Sequence, residues 1–343
     1  MHTEQIQKIV DQTVDSKRIF GAQLSLRHGN DLFHTSAGNL IDVREYFIAS
    51  TTKLYITALF LKLKYENGFD LYKPISEFLD SNVLNGLHVY KQKDYSNVIT
   101  INHLLSQTSG LPDYFQQNFS GEKSLLEFLM SNNDVSWTFD DVVSWSKKRS
   151  PKFAPGAAGK AFYSDTNFQL LGRILEVIYA LPIEQILKKE LFDPLALINT
   201  FLYTDSSNFR PQSIYYKSTL LNMPKAMASF KADGGIVSNS EESLKFLEAF
   251  FNNKFFPQAY LSDLYKWNRI FFPLQYGAGI TLFKLPRIFS PFKALPELIG
   301  HSGLSGAFSY YCPSKDLYLC GTVNQIYQPG NSYRMMLKII NLF

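Results

Sequence analysis

Cysteine and uninterrupted apolar sequence are both scarce in this 343-residue chain, and each scarcity removes a class of protein. Cys312 and Cys320 are its two cysteines, too few for a disulfide framework and at no metal-binding spacing. They flank Pro313-Ser314-Lys315-Asp316, which reads as a turn. A hairpin folded there pairs Cys312 with a residue near Leu317, so two buried free thiols are expected. No stretch approaches the roughly 18 continuous apolar residues of a membrane span. No run of one charge sign is present either: the net charge is +4, with acids and bases interspersed, which argues against a nucleic-acid or membrane-surface patch. His, Cys and carboxylate residues form no cluster at zinc spacing, so no metal and no cofactor is expected. The start, Met1-His2-Thr3-Glu4-Gln5, lacks the basic-then-apolar run of a secretory leader. As it stands the chain reads as cytoplasmic, and a periplasmic or extracellular chain whose leader had been removed would read the same. Repeats and low-complexity tracts are missing as well.

What is present is a large stock of core material. Apolar residues make up 45% of the chain, with 29 Phe and 20 Tyr, which excludes global disorder. Residues 4–18 suggest a short polar helix. Gly21 to Arg27 alternates like a strand, and Gly29-Asn30-Asp31 turns it into a second that ends near Gly38-Asn39. From Ile48 to Tyr65 the period becomes helical, with Leu54, Ala58, Leu61 and Tyr65 on one side and Gly68 as a stop. Helical patterns recur at Ile101 to Leu105, Leu125 to Met130, Asn167 to Ile178 and Ile183 to Leu191. Strand character returns at Tyr276 to Phe283, Gly306 to Cys312 and Leu317 to Val323, before a last helix from Tyr333 to Leu342. Strands at both ends with helices between them predict an α+β fold. In it, one antiparallel sheet built from the two terminal segments is flanked by helices and carries an inserted, mainly helical region. The expected division of this single 1–343 domain is an α/β part, 1–70 with 225–343, and a helical part, 71–224. A site is expected in the groove between them.

Ser-x-x-Lys occurs four times, at Ser50-Lys53, Ser120-Lys123, Ser144-Lys147 and Ser290-Lys293. Context separates them. Ser290 is followed by Pro291-Phe292, Ser120 by Gly121 in a polar stretch, and Ser144 sits in a charged run. Ser50 alone opens a long apolar helix, where its hydroxyl lies beside unsatisfied N–H groups and the positive end of the dipole. Lys53 rises on the same face and can reach it. An ordinary reading exists too, with Ser50 a helix N-cap and Lys53 solvated.

Two further motifs weigh against that ordinary reading. Phe162-Tyr163-Ser164-Asp165-Thr166-Asn167-Phe168-Gln169-Leu170-Leu171-Gly172 follows Pro155-Gly156, and Gly300-His301-Ser302-Gly303-Leu304-Ser305-Gly306 precedes a strand. With Ile101 to Pro112, Gly234-Gly235-Ile236-Val237-Ser238 and Tyr276-Gly277-Ala278-Gly279, their order and spacing resemble the serine β-lactamase and penicillin-binding-protein group. That group includes class C β-lactamases, D-Ala-D-Ala carboxypeptidases and family VIII esterases. The resemblance runs from about residue 20 to 325. Tyr95-Ser96-Asn97 fits the second motif more literally but leads into Val98-Ile99-Thr100-Ile101, not a Leu-Gly helix.

The resemblance implies a proton-shuttling trio of Ser50, Lys53 and Tyr163, and an oxyanion hole made by the backbone N–H groups of Ser50 and Leu304. It also implies substrate contacts from Asp165, His301, Ser302 and Gly303. A serine hydroxyl is a weak nucleophile until a neighbour takes its proton, and either Lys53 or Tyr163 could be that neighbour. Asp165 stands where many relatives have Asn. A carboxylate there keeps Lys53 charged and favours Tyr163 as the base, its phenolate helped by the nearby cation. His301 stands where lysine is common and offers no permanent charge at pH 7. Both departures argue against an efficient β-lactamase. Each residue keeps an ordinary alternative: Tyr163 a core tyrosine, Asp165 a helix N-cap, His301 a loop histidine. The expected activity is a metal-free serine hydrolase acting through an acyl-enzyme on a small ester or amide, a D-amino-acid peptide or ester before a β-lactam. An acyltransferase using the same intermediate and a non-catalytic scaffold are the alternatives. The expected partner is a small-molecule or short-peptide substrate, with no nucleic acid.

Overall fold

A computed structural model describes residues 2–42, 44–118, 121–286, 288 and 295–343. Two of the four Ser-x-x-Lys candidates, Ser120 and Ser290 with Lys293, therefore lie outside the described residues.

The chain opens with α1 (Thr3–Thr13) and the hairpin β1 (Gly21–His28) and β2 (Asp31–Gly38). It closes with β13 (Leu298–Ser302), β14 (Ala307–Cys312), β15 (Leu317–Thr322) and α12 (Gly330–Ile340). β1 pairs antiparallel with β15, Leu24 opposite Gly321 and Leu26 opposite Leu319, and this joins the two ends of the chain. With β10 (Asn268–Phe271), β11 (Leu274–Tyr276) and β12 (Thr281–Phe283) they make one eight-stranded sheet, ordered β10-β11-β12-β13-β14-β15-β1-β2. All its pairings are antiparallel, as the predicted α+β class requires. Cys312 lies opposite Leu317 across Pro313–Lys315, and both cysteines are buried free thiols.

Period-two alternation sends the two faces of this sheet into two different cores. Leu317, Leu319, Leu24, Leu26 and Phe308 pack with Ile6 and Val10 of α1 and Met335, Met336, Ile339 and Ile340 of α12. Tyr318 and Cys320 join the opposite core, with α2 (Thr52–Asn67), α7 (Asp165–Tyr179) and α10 (Ser240–Phe251). There the rings of Tyr55 and Phe246 stack with centroids 3.5 Å apart. The polar members of the β1 alternation do not face water. Gln23 accepts the N–H of Ser240, and Ser25 Oγ lies 2.6 Å from Ser240 Oγ, so both serve the start of α10.

The middle of the chain is mainly helical: α3 (Ser81–Leu84), α4 (Ile101–Leu105), α5 (Leu125–Met130), α6 (Phe139–Lys147), α7, α8 (Ile183–Leu187) and α9 (Pro224–Ser229). α11 (Leu261–Leu264) follows α10. Two ribbons, β4 (Val89–Tyr90) with β5 (Lys93–Asp94) and β7 (Tyr215–Tyr216) with β8 (Thr219–Leu220), decorate it. A small sheet of β3 (Tyr46–Phe47), β9 (Ile236–Ser238) and β6 (Phe201–Leu202) ties the middle of the chain to its flanks.

Several expectations shift. α2 does not carry one apolar stripe: it is buried continuously from Thr52 to Leu61, and Tyr65, expected inside, is exposed. A helix enclosed on all sides buries its polar positions too, and this decides the environment of Lys53. The left-handed Gly68 ends α2 as predicted. The first helix stops at Thr13, not 18, because the Asp15 carboxylate accepts the N–H groups of Lys17, Arg18 and Ile19 and closes a turn. Helices α6 and α10 were not read from the pattern.

Tyr276 to Phe283 is two strands, because Gly277-Ala278-Gly279 turns the chain between β11 and β12. The turn is also an anchor: Gly279 N–H donates to Leu105 O, and Thr57 Oγ1 of α2 reaches Gly279 O. Gly279 has φ +71°, and a Cβ there would stand 1.7 Å from Thr57 Oγ1. Left-handed strain and overpacking together set the expected result for Gly279→Ala, a loss of about 2–3 kcal/mol of unfolding free energy, measured by urea titration.

Candidate active site

The residues around Ser50 are held by backbone that the sequence forces close together. Ser50 lies in the 3-10 turn Ala49–Thr51, which leads into α2 at Thr52, so Lys53 falls in the first turn of the helix. Ala49 takes a left-handed φ of +46° without being glycine, a strained geometry of the kind found at functional sites. Gly303 lies against this turn, where a Cβ would stand 2.4 Å from Ile48 O. Ile48 N–H donates to Ile236 O, and Ile236 N–H to Thr52 Oγ1, which fix the turn to β9.

The second motif is tethered by the loop that ends the Ile101 to Pro112 stretch. Gln107 Oε1 accepts both Ser164 N–H and Asn167 Nδ2, while Ser164 Oγ and Thr166 Oγ1 donate to Pro112 O. Asp165 N–H donates to Asp113 Oδ1. Asp165 is the first residue of α7, with Ser164 at the N-cap position.

These supports bring Ser50, Lys53, Tyr163 and Asp165 together. Lys53 Nζ donates to Ser50 Oγ at 3.1 Å and Tyr163 Oη to the same oxygen at 2.9 Å. Lys53 also donates to Asp233 O and lies 2.7 Å from Asp165 Oδ1. Its side chain has 0% exposure, so the solvated reading of Lys53 fails. Three acceptors around one buried nitrogen describe an ammonium, as the Asp165 substitution predicts. Part of Tyr163 remains accessible, but its phenol is enclosed. Burial first, then the Asp165 charge, holds its pKa well above the usual phenol value. This corrects the expectation that the nearby cation favours a phenolate: in the resting site Tyr163 carries its proton.

The third motif is placed differently from its expected role. His301 is 2% exposed. Its Nδ1 lies 2.8 Å from Ser302 O and its Nε2 3.3 Å from Tyr276 Oη. Nδ1 must donate to that carbonyl, so Nε2 accepts from the phenol, and the ring is neutral. Burial, then the Lys53 charge, depresses its pKa to about 3. Ser302 Oγ turns to Tyr333 Oη at 2.6 Å, and Gly303 packs on the nucleophile turn. Among the described residues none of the three lines the cleft beside Ser50, whereas Leu304 and Ser305 do. His301 instead packs beside Tyr163 and Tyr276, with centroids 6.4 and 5.7 Å away, and acts on the site through them.

The cleft's polar end is Ser50, Asp165, Asp233 and Gly234, with the 303–305 turn beside it. Apart from Gln116, its remaining wall is apolar, from Phe115, Leu126, Leu129, Met130, Ile214, Met223, Met227, Phe230 and Ile326. Leu304 N–H donates to no backbone carbonyl among the described residues, as an oxyanion donor requires. Sequence reading missed Asp113, Tyr114 and Asp233. Asp233 immediately precedes Gly234-Gly235 and Asp113 immediately follows Pro112, so adjacency to supporting motifs was the available signal. Burial, then Asp165, raises the Asp113 pKa to about 7, and the same causes push Asp233 well up. No group of three or more metal-ligating side chains occurs among the described residues. The other candidates are elsewhere: Ser144 is exposed on α6, with Lys147 bonded to Asn82 O, and Ser96 is tied to Asp94.

A buried histidine held neutral makes a pH signature. Between pH 6.5 and about 3 the unfolded chain binds a proton at His301 that the folded chain refuses. Its contribution is therefore full above pH 6.5 and lost as the pH falls toward 3. Asp113, with its raised value, acts in the opposite sense, so the comparison must be between wild type and His301→Gln. The wild type should lose up to about 3 kcal/mol more unfolding free energy than the variant between pH 7 and pH 4. Urea midpoints at half-unit pH steps measure this, and parallel curves would show that His301 does not titrate as described.

The Beta-lactamase family model matches residues 6–335. A Salmonella agona (strain SL483) protein, provisionally named a D-alanyl-D-alanine carboxypeptidase, is 29% identical over 171 residues. That stretch is 49% of this chain and 36% of the relative's length. In structure the chain resembles the D-amino acid amidase from Ochrobactrum anthropi SV3 (TM-score 0.79, 20% identity, 98% of this chain and 97% of the other). It also resembles a D-stereospecific amidohydrolase from Streptomyces sp. (TM-score 0.74, 23% identity, 95% of each chain). Those likenesses show the fold, and the family model spans nearly the whole chain: this protein belongs to the Beta-lactamase family of serine hydrolases.

Proposed function

We propose that Ser50 is the nucleophile of an acyl-transfer hydrolase for small amides and esters of D-amino-acid type. The observation that carries this reading is the convergence of Lys53 Nζ and Tyr163 Oη on Ser50 Oγ, at the polar end of a cleft that also contains Leu304. As Ser50 Oγ bonds to the substrate carbonyl carbon, its proton passes into the Lys53–Tyr163 pair. The carbonyl oxygen becomes an oxyanion facing the N–H groups of Ser50 and Leu304. Collapse expels the amine or alcohol, which leaves with the proton, and water then cleaves the Ser50 ester by the same path in reverse.

The resting site has its protons in place, with Lys53 an ammonium and Tyr163 a phenol. The reactive form is the one in which this coupled group has released a proton, so the rate rises with pH. The named activities of similar proteins, on D-amino acid amides and D-alanyl-D-alanine, support the substrate type. A β-lactam carboxylate finds no cation here: among the described residues lining the cleft there is no Lys or Arg, and Lys53 beneath it is already paired.

A fluorophosphonate probe followed by intact-mass measurement tests the assignment. Wild type should gain one label, Ser50→Ala none, and Ser144→Ala, Ser120→Ala and Ser290→Ala one each. Labelling that survives Ser50→Ala rules the assignment out. The labelling rate should climb from pH 6 to 9. A labelling rate that stays flat across this range would mean that no proton leaves the Lys53–Tyr163 pair before acylation.

A further inference from the structure

The cleft joins a carboxyl-rich end to an apolar wall, and only part of that carboxyl character is used by Lys53. Asp165 and Asp233 lie beside this one ammonium, and Asp113 stands behind Asp165, whose N–H it accepts. Lys53 pairs with Asp165, whereas from Asp233 it takes the backbone oxygen. The Asp233 carboxyl receives Tyr114 Oη on Oδ2 at 2.7 Å, and its Oδ1 is buried with no hydrogen-bond partner. Asp233 is 1% exposed, yet it lines the cleft together with Asp165 and Ser50. A buried carboxyl oxygen left without a donor beside a binding cleft is costly unless a ligand supplies one.

We propose that the cleft selects substrates bearing a free ammonium group next to the reactive carbonyl, held by Asp233 Oδ1 with Asp165, and a large apolar side chain. This deepens the acyl-transfer reading of Ser50 and rests on it for the position of the carbonyl. The side chain lies against Phe115, Leu129, Met223, Met227, Phe230 and Ile326. The lining argues against the opposite polarity, a substrate recognised by a free carboxylate. Among the described cleft residues no cation is free to meet it, and the buried carboxyls of Asp165 and Asp233 offer an anion no donor in its place. An arriving ammonium stabilises the ionised form of Asp233, whose proton burial otherwise retains, so binding releases a proton. Recognition is thus of the amino end of an acyl group, as in an aminoacyl amide, and not of the carboxyl end of a peptide.

Calorimetry on Ser50→Ala enzyme at pH 6.5 tests this without turnover. The ligands are D-phenylalaninamide, 3-phenylpropanamide, which lacks only the amine, and N-acetyl-D-phenylalanine, which presents a carboxylate instead. D-Phenylalaninamide should bind at least tenfold tighter than either, with proton release seen as heats that differ between phosphate and imidazole buffers. Adding Asp233→Asn should cut the preference for the amine at least fivefold. If that variant does not fold, the ligand ranking in its parent decides. Equal binding of the two amides, tighter binding of the carboxylate, or no heat from any ligand at millimolar concentration overturns the proposal. The two readings fail separately. Labelling of Ser50 with no amine preference leaves the nucleophile standing and removes this specificity, while amine preference without labelling does the reverse.

Discussion

A lysine with no exposed surface, placed in the first turn of an enclosed helix, is the constraint on which the rest of this structure depends. An ammonium taken out of water is tolerated only when its protons all find acceptors. Here those acceptors come from three separated parts of the chain: Ser50 before the helix, Asp165 at the head of α7, and the backbone of Asp233 before β9. Satisfying Lys53 therefore requires the turn, the inserted helical region and the segment leading to the small sheet to be in place together. The arrangement that satisfies the lysine is the one that places two donors on the Ser50 hydroxyl.

The scaffold answers this demand by making α2 a core element. With Tyr55 stacked on Phe246 and the face around Thr57 anchored to the Gly277-Ala278-Gly279 turn, the helix has little freedom to translate. The eight-stranded sheet separates two cores, so the α1–α12 layer stabilises the strands from behind without contributing to the cleft. His301 illustrates the coupling. It is not among the described residues that line the cleft, but it accepts from Tyr276 and packs beside the ring that carries the Tyr163 hydroxyl.

The carboxyl groups set the chemistry apart from a site built to receive anions. An asparagine at 165 would offer an amide to a substrate carbonyl, whereas the aspartate consumes the charge of Lys53. With Asp233 beside it, the cleft is left with more carboxyl than ammonium groups, and burial returns a proton to Asp233. Such a site is poised to exchange that proton for a cation.

The β1–β2 hairpin, the α2 and α7 helices, the paired termini and the Ser50–Lys53–Tyr163 grouping were readable from the sequence, because each rests on local periodicity, turn chemistry or a motif whose spacing is preserved, whereas α6 and α10 were not. The Cys312–Leu317 register followed from a four-residue turn alone. What a side chain faces is a different matter, since it depends on elements distant in sequence. The burial of α2 on every side comes from elements distant in sequence, among them α7, α10 and β13, and its own pattern shows only one face. The place of His301 behind Tyr163 follows from which face of β13 meets Tyr276, and the proton held by Tyr163 follows from burial combined with Asp165, Asp113 and Asp233. Asp233 was invisible for the same reason: a lone aspartate before two glycines has no periodic or motif signature. It acquired meaning only when folding buried one of its oxygens without a donor at the edge of a cleft. Sequence determined which groups could do acyl transfer, and tertiary structure decided their charge, because charge is set by neighbours and by exclusion of water.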